Sequence, residues 1–349
     1  MAQLSGGSSR TYYTNQYDSF KGADFSTDSS LVDRRRSPDC LNMISDNGGN
    51  PVKRKGWEYW QNIGMSIDNI WDYTDDNGSI IVANAGGNIY AADDNGVTKV
   101  LTLSTGAEKR VAINADAGLV VFTSAGLYII KSDKTYEAIT PYVPTILVGC
   151  APSGGGTVNE SVNLLTRERI ETFNGDGIYK TFTVSGTIDT TKTYSVKVDG
   201  VSVTPTVSGK TFTLTTAPIA GTGNVVIQYF AIGGETNIAK IGNARVIQQF
   251  AEGASYRWFI AGEDSNIVRY SALGDYTYWA DLDYIVVGTS EHKVQGFLPI
   301  GEYLGVVKET STRETALYFA QQTTVTDSTS TVTSDYSINS TRSERYVYK

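Results

Sequence analysis

The stretch from Ile80 to Tyr90, IIVANAGGNIY, returns about 39 residues later as Leu119 to Tyr128, LVVFTSAGLY, with one residue dropped in the turn. Each copy holds an apolar strand, a glycine turn and a second strand. A polar turn then follows, Asp93-Asp94-Asn95-Gly96 in one copy and Ser132-Asp133-Lys134 in the other. A third strand comes after each, over Val97 to Leu101 and over Tyr136 to Ile139. A further candidate precedes each, over Ile67 to Tyr73 and over Arg110 to Asn114. Four short strands in about 40 residues is the spacing of β-propeller blades. One blade cannot bury both of its faces, whereas blades stacked about an axis do so and leave only short edges. The expected fold class is therefore all-β, with propeller-like blades that need not close.

Pro141, Pro144, Pro152 and the run Ser153-Gly154-Gly155-Gly156 interrupt this pattern. Residues 66–150 are thus read as the first blades and residues 151–234 as an inserted module. Strict alternation over residues 166–232 predicts strands at Tyr179 to Val184, Tyr194 to Val198, Thr211 to Leu214 and Val225 to Phe230. Turns are expected at Asn174-Gly175-Asp176-Gly177, Asp199-Gly200 and Ser208-Gly209. One apolar and one wet face along Tyr194-Ser195-Val196-Lys197-Val198 points to a small antiparallel β-sandwich. After Gly233-Gly234 the blade pattern resumes over residues 235–320. Its strands are expected at Arg245 to Gln249, Trp258 to Gly262, Ile267 to Ser271 and Tyr284 to Val287. Residues 321–349 open on a run of Ser, Thr, Asp and Gln and read as an edge strand or a solvated arm. The pattern supplies four blades at most.

Composition agrees with this class. Thirty-five glycines and 22 tyrosines against 3 methionines favour strands and tight turns over helices. No apolar run approaches the roughly 20 residues that cross a bilayer, and the opening MAQLSGGSSR lacks the apolar centre of a signal peptide. Cys40 and Cys150 cannot staple a chain of 349 residues and are read as free thiols in a reducing compartment. The formal net charge of −8 argues against a protein that grips nucleic acid through its phosphates.

Motifs for catalysis are sparse. His292 is the only histidine, and its neighbours Glu291 and Lys293 make a solvent-exposed turn the plain reading. Asp75-Asp76-Asn77-Gly78 and Asp93-Asp94-Asn95-Gly96 superficially resemble calcium loops but lack the required spacing and final Glu, so these carboxylates are expected to cap turn amides. Gly86-Gly87 and Gly154-Gly155-Gly156 lack the context that holds phosphates. Glu171 and Glu263 are weak candidates for a glycosidase pair, which needs two carboxyls on opposing elements. Trp258, Tyr276, Tyr278 and Trp279 are either propeller core or sugar-stacking platforms. No catalytic, metal or cofactor residue is assigned, no cofactor is expected, and the chain is read as a non-enzyme.

Residues 1–19 read as a flexible arm and residues 20–65 as a polar docking segment. Asp46-Asn47-Gly48-Gly49-Asn50-Pro51 is a strong turn, and Ser37-Pro38-Asp39 is expected to open a short helix through Leu41, Asn42 and Met43. The basic runs Arg34-Arg35-Arg36 and Lys53-Arg54-Lys55 admit three readings: a solvated cluster, a docking surface for an acidic neighbour, or a DNA contact.

This segment resembles the N-terminal signature of the phage tail-nozzle and packaged-DNA-stabilisation family. The matching residues are Asp24-Phe25-Ser26, Arg36-Ser37-Pro38-Asp39 with Leu41-Asn42-Met43, and Lys53-Arg54-Lys55-Gly56-Trp57. Arg257-Trp258-Phe259-Ile260-Ala261-Gly262, Leu273-Gly274-Asp275-Tyr276-Thr277-Tyr278-Trp279 and Tyr284-Ile285-Val286-Val287-Gly288 resemble the same family, and Val294-Gln295-Gly296-Phe297 extends the match. The inserted module is similar to small β modules of phage tail and fibre proteins. The resemblance implies a virion protein of the tail, a ring of identical copies below the portal or adaptor, assembled in the bacterial cytoplasm. Packaged DNA would pass through it without sequence-specific binding, and an acidic wall suits such a conduit. The family usually closes more than four blades, so either the chain ends early or neighbouring copies complete the ring. Partner docking is assigned to Arg34, Arg35, Arg36, Pro38, Asn42, Lys53, Arg54 and Trp57. The alternative is a carbohydrate-binding or depolymerising tail protein.

Overall fold

A computed structural model of the chain describes residues 19–103, 110–233, 235–252, 255–262, 266–309, 316–326 and 332–339. It divides into two compact units, Met1–Trp60 and Gln61–Lys349. The arm expected over residues 1–19 lies, but for its last residue, outside the described residues.

In the first unit, turns rather than a core impose order. Asp24, Asp28 and Asp33 each accept the backbone N–H two residues on, from Ser26, Ser30 and Arg35. A hairpin follows, β1 (Met43–Ser45) on β2 (Pro51–Lys53), and Asp46 closes its loop by accepting from the N–H groups of Gly48 and Asn50. The expected turn at Asp46 to Pro51 is therefore present. The short helix expected from Ser37 is not. The Ser37 hydroxyl engages only Asp39, and Asn42 adopts φ of 58°, a left-handed value that ends a right-handed helix. Met43 enters a strand instead.

The second unit is all-β. Its first sheet is a meander of β3 (Ile67–Asp75), β4 (Gly78–Ala85), β5 (Asn88–Asp93) and β6 (Gly96–Thr102). The second is β7 (Val111–Ala115), β8 (Gly118–Thr123), β9 (Gly126–Ile130) and β10 (Tyr136–Ala138). These are the two copies of the repeat, with the four strands expected in each. Apart from the β9–β10 loop, residues 131–135, the loops are two residues long, and Gly78, Gly96, Gly118 and Gly126 follow four of them with φ of 152°, 135°, 146° and 140°. Only glycine adopts these angles without strain, which is why the repeat carries it there.

The inserted module runs through β11 (Thr145–Cys150), β12 (Thr157–Val158), β13 (Glu168–Gly175), β14 (Thr181–Thr183), β15 (Ser195–Val198), β16 (Val201–Val203), β17 (Thr206–Ser208), β18 (Thr211–Thr213) and β19 (Gly221–Phe230). It is a sandwich of a six-stranded sheet, ordered β12-β11-β13-β19-β15-β16, and a three-stranded sheet, ordered β14-β18-β17. The expectation of a purely antiparallel sandwich is corrected by one pair: β11 runs parallel to β13. Phe173, Phe182, Val196, Phe212, Val225, Ile227 and Tyr229 fill the space between the sheets.

Helix α1 (Glu235–Gly242), unannounced by any long apolar period, returns the chain to the blades. Its Ile241 is buried beside the second sheet, and a Cβ on Gly242 would collide with the backbone of Thr123. A third meander follows, β20 (Val246–Glu252), β21 (Ser255–Ala261), β22 (Ile267–Tyr270) and β23 (Tyr284–Val286). The fourth is β24 (Val294–Ile300), β25 (Tyr303–Lys308), β26 (Leu317–Thr326) and β27 (Val332–Asn339). Among the described residues, the Ser/Thr-rich run thus supplies the end of the interior strand β26 and the edge strand β27.

Three buried clusters bind these sheets in series: the first to the second, the second to the third and the third to the fourth. Middle sheets must bury both faces, so their central strands are continuously apolar. In β8, Leu119 and Val121 face the first sheet while Val120 and Phe122 face the third. In β21, Trp258 and Ile260 face the second sheet while Phe259 and Ala261 face the fourth. Each of the leucine, valine, isoleucine and phenylalanine side chains here, fully buried, contributes about 1.5–3 kcal/mol. Among the described residues no cluster joins the fourth sheet to the first, and no closed propeller is formed. The outer face of the first sheet exposes Ile67 and Ile70, and that of the fourth exposes Leu298, Ile300 and Tyr303. No helix of the described residues is long and apolar enough to cross a membrane.

Candidate functional site

The docking residues assigned in the first unit are all exposed. Arg34, Arg35, Arg36 and Pro38 line a groove of about 370 Å³ together with Phe20, Met43 and Pro51. Arg35 forks onto Asp33, Nη2 to Oδ2 at 2.9 Å and Nε to Oδ1 at 3.2 Å, and this donation holds the Asp33 carboxyl down to about 2. Asn42 stands beside the groove, where its carbonyl accepts the Arg54 N–H, and Lys53 pairs with Met43 across the hairpin. Trp57 stands apart, its ring edge-on to Tyr59 at 5.5 Å, and both rings are exposed. The fold therefore gathers four of the eight assigned residues around one groove and leaves Trp57 outside it.

A second concavity, of about 540 Å³, opens in the second unit where three sheets present their turns. The β3–β4 turn brings Asp75 and Asp76, the β7–β8 turn brings Asn114, Asp116 and Ala117, and the third sheet brings Gln249, Tyr256, Trp258 and Tyr276. Asp75 is committed to structure. It accepts from Ser132 Oγ at 2.8 Å, the chief cause of its lowered pKa, and from the N–H groups of Asn77 and Gly78. Asp76 and Asp116 occupy the equivalent first positions of the two loops and are exposed. Burial and then the nearby Asp275 and Asp116 carboxylates raise the Tyr276 hydroxyl. The Trp258 ring is held edge-on between Tyr256, at 5.1 Å, and Tyr276, at 5.3 Å. Trp258 is 2% exposed, and its indole N–H has no hydrogen-bond partner.

The other candidates are placed as follows. Of the four aromatics weighed as sugar platforms, Trp279 is fully buried and donates to the Tyr276 carbonyl, while the Tyr278 hydroxyl donates to Ser161 O. Both belong to the core and its margin, whereas Trp258 and Tyr276 also line the cleft. Glu171 is buried inside the sandwich, where it accepts from Ser185 N–H, Ser185 Oγ at 2.6 Å and Tyr229 Oη at 2.7 Å. Glu263 lies outside the described residues. His292 is half-buried rather than solvent-exposed. Asp93 caps Asn95 and Gly96 as expected and also takes Lys134 Nζ at 2.6 Å. Cys40 and Cys150 are both free thiols.

Sequence reading missed Asp116, Asn114, Gln249 and Tyr256. The repeat as read from sequence sets Ala115 against Asp76, and only the paired loops of the structure bring Asp116 to the equivalent position. Comparison with protein-family models, with curated proteins and with solved structures finds no match for this chain.

Proposed function

We propose that this chain is a structural protein of a bacteriophage virion. It would be one member of a ring below the portal or adaptor that forms the tail nozzle, retains packaged DNA and lets it pass on ejection. The observation that carries this reading is the pair of exposed apolar faces that end the sheet series, Ile67 and Ile70 on the first sheet and Leu298, Ile300 and Tyr303 on the fourth. A stack that stops on apolar faces is satisfied by further copies, and one repeated head-to-tail contact closes into a ring. The exposed arginines of the first unit suit carboxylates on a neighbouring tail protein, because a guanidinium fork pairs them bidentately. The net charge of −8 suits a wall along which DNA slides without specific contact. The role is mechanical and uses no cofactor and no membrane.

Electron microscopy of the full chain and of the intact particle tests this. A ring of identical copies on the tail axis is the expected result. A monodisperse monomer that never joins the particle would overturn it.

A further inference from the structure

The first unit is ordered but has no interior. None of residues 19–60 is buried, and Leu41, Tyr59 and Trp57 are 81%, 80% and 74% exposed. A unit this small that lacks a core is ordinarily held by a disulfide, a metal or oligomerisation. Cys40 is a free thiol, and among the described residues no cluster of His, Cys, Asp and Glu could hold a metal ion. A partner surface is what remains. It must be apolar, to cover Leu41 and Trp57. It must also be anionic: of the three arginines of the groove, Arg35 alone forms an ion pair among the described residues, with Asp33.

The second unit supplies both properties. It carries 30 Asp and Glu against 21 Lys and Arg, whereas residues 1–60 carry seven against eight. The outer face of its fourth sheet exposes Leu298, Ile300 and Tyr303, which point away from the core holding Leu304 and Val306. Phe319 stands edge-on to Tyr303 at 6.2 Å, and Glu302 is exposed in the turn between Ile300 and Tyr303.

Chain connectivity selects whose fourth sheet. The second unit begins on the outer side of the first sheet. Gln61 Nε2 donates to Asp93 O at 2.8 Å, and the Tyr90 hydroxyl lies 3.9 Å from Met65 Sδ. Tyr90 alternates with Ile89 and Ala91 of the core and so faces away from it. Two further sheets separate this first sheet from the fourth of the same copy. In a head-to-tail contact the first sheet of one copy adjoins the fourth sheet of the next, so the chain that leads into Gln61 arrives at that junction.

We infer that the first unit of each copy packs on the outer face of the next copy's fourth sheet. Leu41 and Trp57 cover Leu298, Ile300 and Tyr303, while Arg34 and Arg36 pair with carboxylates of the acidic unit, Glu302 foremost. The inference rests on the ring reading and names the element that makes its repeated contact.

The test mixes nitrogen-15-labelled and unlabelled full chains, lets them associate, and couples lysine amines to carboxylates with a carbodiimide. The expected result is a cross-link from Lys53 or Lys55 to Glu302 whose two peptides come from different copies. In sedimentation, Leu41→Ser combined with Trp57→Ser should weaken self-association about tenfold or more, and so should Ile300→Ser combined with Tyr303→Ser. Joining the two pairs should add little to either, since both remove one contact. Arg36→Glu should weaken it several-fold at low salt and less at high salt. All of these side chains are exposed, so each variant should keep the wild-type melting temperature. Two outcomes would overturn the inference and leave the ring standing: every such cross-link stays within one copy of an associated chain, or the folded Leu41→Ser, Trp57→Ser variant associates like the wild type. Chains that never associate would overturn both.

Discussion

The inserted sandwich and the blade series bury apolar surface in opposite ways. Every member of the sandwich core comes from residues 150–231, so that core is complete within its own segment. Each blade core takes its members from two neighbouring sheets, so no blade owns one. The polar interior differs too. The sandwich buries Glu171 but surrounds it with donors from Ser185 and Tyr229. The blade series instead ends on faces that leave Ile67, Ile70, Leu298, Ile300 and Tyr303 exposed. A self-contained core makes an independent folding unit, and shared cores make a chain of dependent ones.

The strongest way to break this comparison is a pair of core truncations. Phe212→Ala should cost about 3–5 kcal/mol, read by denaturant unfolding, and hydrogen exchange should show lost protection within β11 to β19 alone. Leu119→Ala should cost about 2–5 kcal/mol and loosen β3 to β6 together with β7 to β10. Loosening of the second sheet alone would refute shared cores.

Asn163 pins the two regions together. Its Nδ2 donates to Tyr142 O and Thr277 O, each at 2.8 Å, and its Oδ1 accepts from Leu165 and Trp279 N–H, each at 3.1 Å. Asn163→Ala should cost about 1–3 kcal/mol for each group that water fails to reach. In calorimetry it should split the melt into separate sandwich and blade transitions. Asn163→Asp should not rescue it, because an ionised carboxylate cannot donate to the two carbonyls.

Thiol chemistry sharpens the contrast further. Burial chiefly, and the Glu171 charge secondly, push the Cys150 thiol up to about 11. A raised value keeps it protonated below that pH, so at pH 8 only about one Cys150 in a thousand is thiolate. An aromatic disulfide reagent should label Cys40 in the native protein and Cys150 only after unfolding or as pH approaches 11. Labelling of both at pH 8 would show that the sandwich opens.

The smallest effect on stability is expected at the end face. Ile70 is 61% exposed, so Ile70→Ser should change stability by no more than about 0.5 kcal/mol. It should nevertheless weaken self-association in sedimentation, and unchanged assembly would remove that face from the proposed contact.

How legible each region was in the sequence follows from the same physics. The blades were readable because two-sided burial writes continuous apolar strands between loops that demand glycine. β13 escaped because its inward position 171 holds a glutamate, whose burial makes sense only once Ser185 and Tyr229 are seen around it. β11 escaped because Pro141, Pro144 and Gly149 mask its alternation. The false helix at Ser37 had sound capping chemistry but ran into Asn42, which local hydrogen bonding favours in a left-handed turn. The cleft was legible only in part. Its aromatics were noticed and its Asp turns were read as caps, which holds for Asp75. What no linear reading supplies is that turns near positions 76, 116 and 276 meet.

Glu168 and Phe230 lie directly opposite each other, one strand spacing apart, about 4.8 Å. The chain enters the sandwich module at Thr145, returns to the blade core at Leu164 and Leu165, re-enters at Glu168 and leaves past Ala231, whose N–H meets Arg167 O. Seen from the blades, the longer of these two passages begins and ends on one paired position, Glu168 opposite Phe230. Whatever decorates it can be lengthened, trimmed or exchanged for another ornament while the architecture beneath stays put, so the outer surface of this protein is free to diversify faster than its frame.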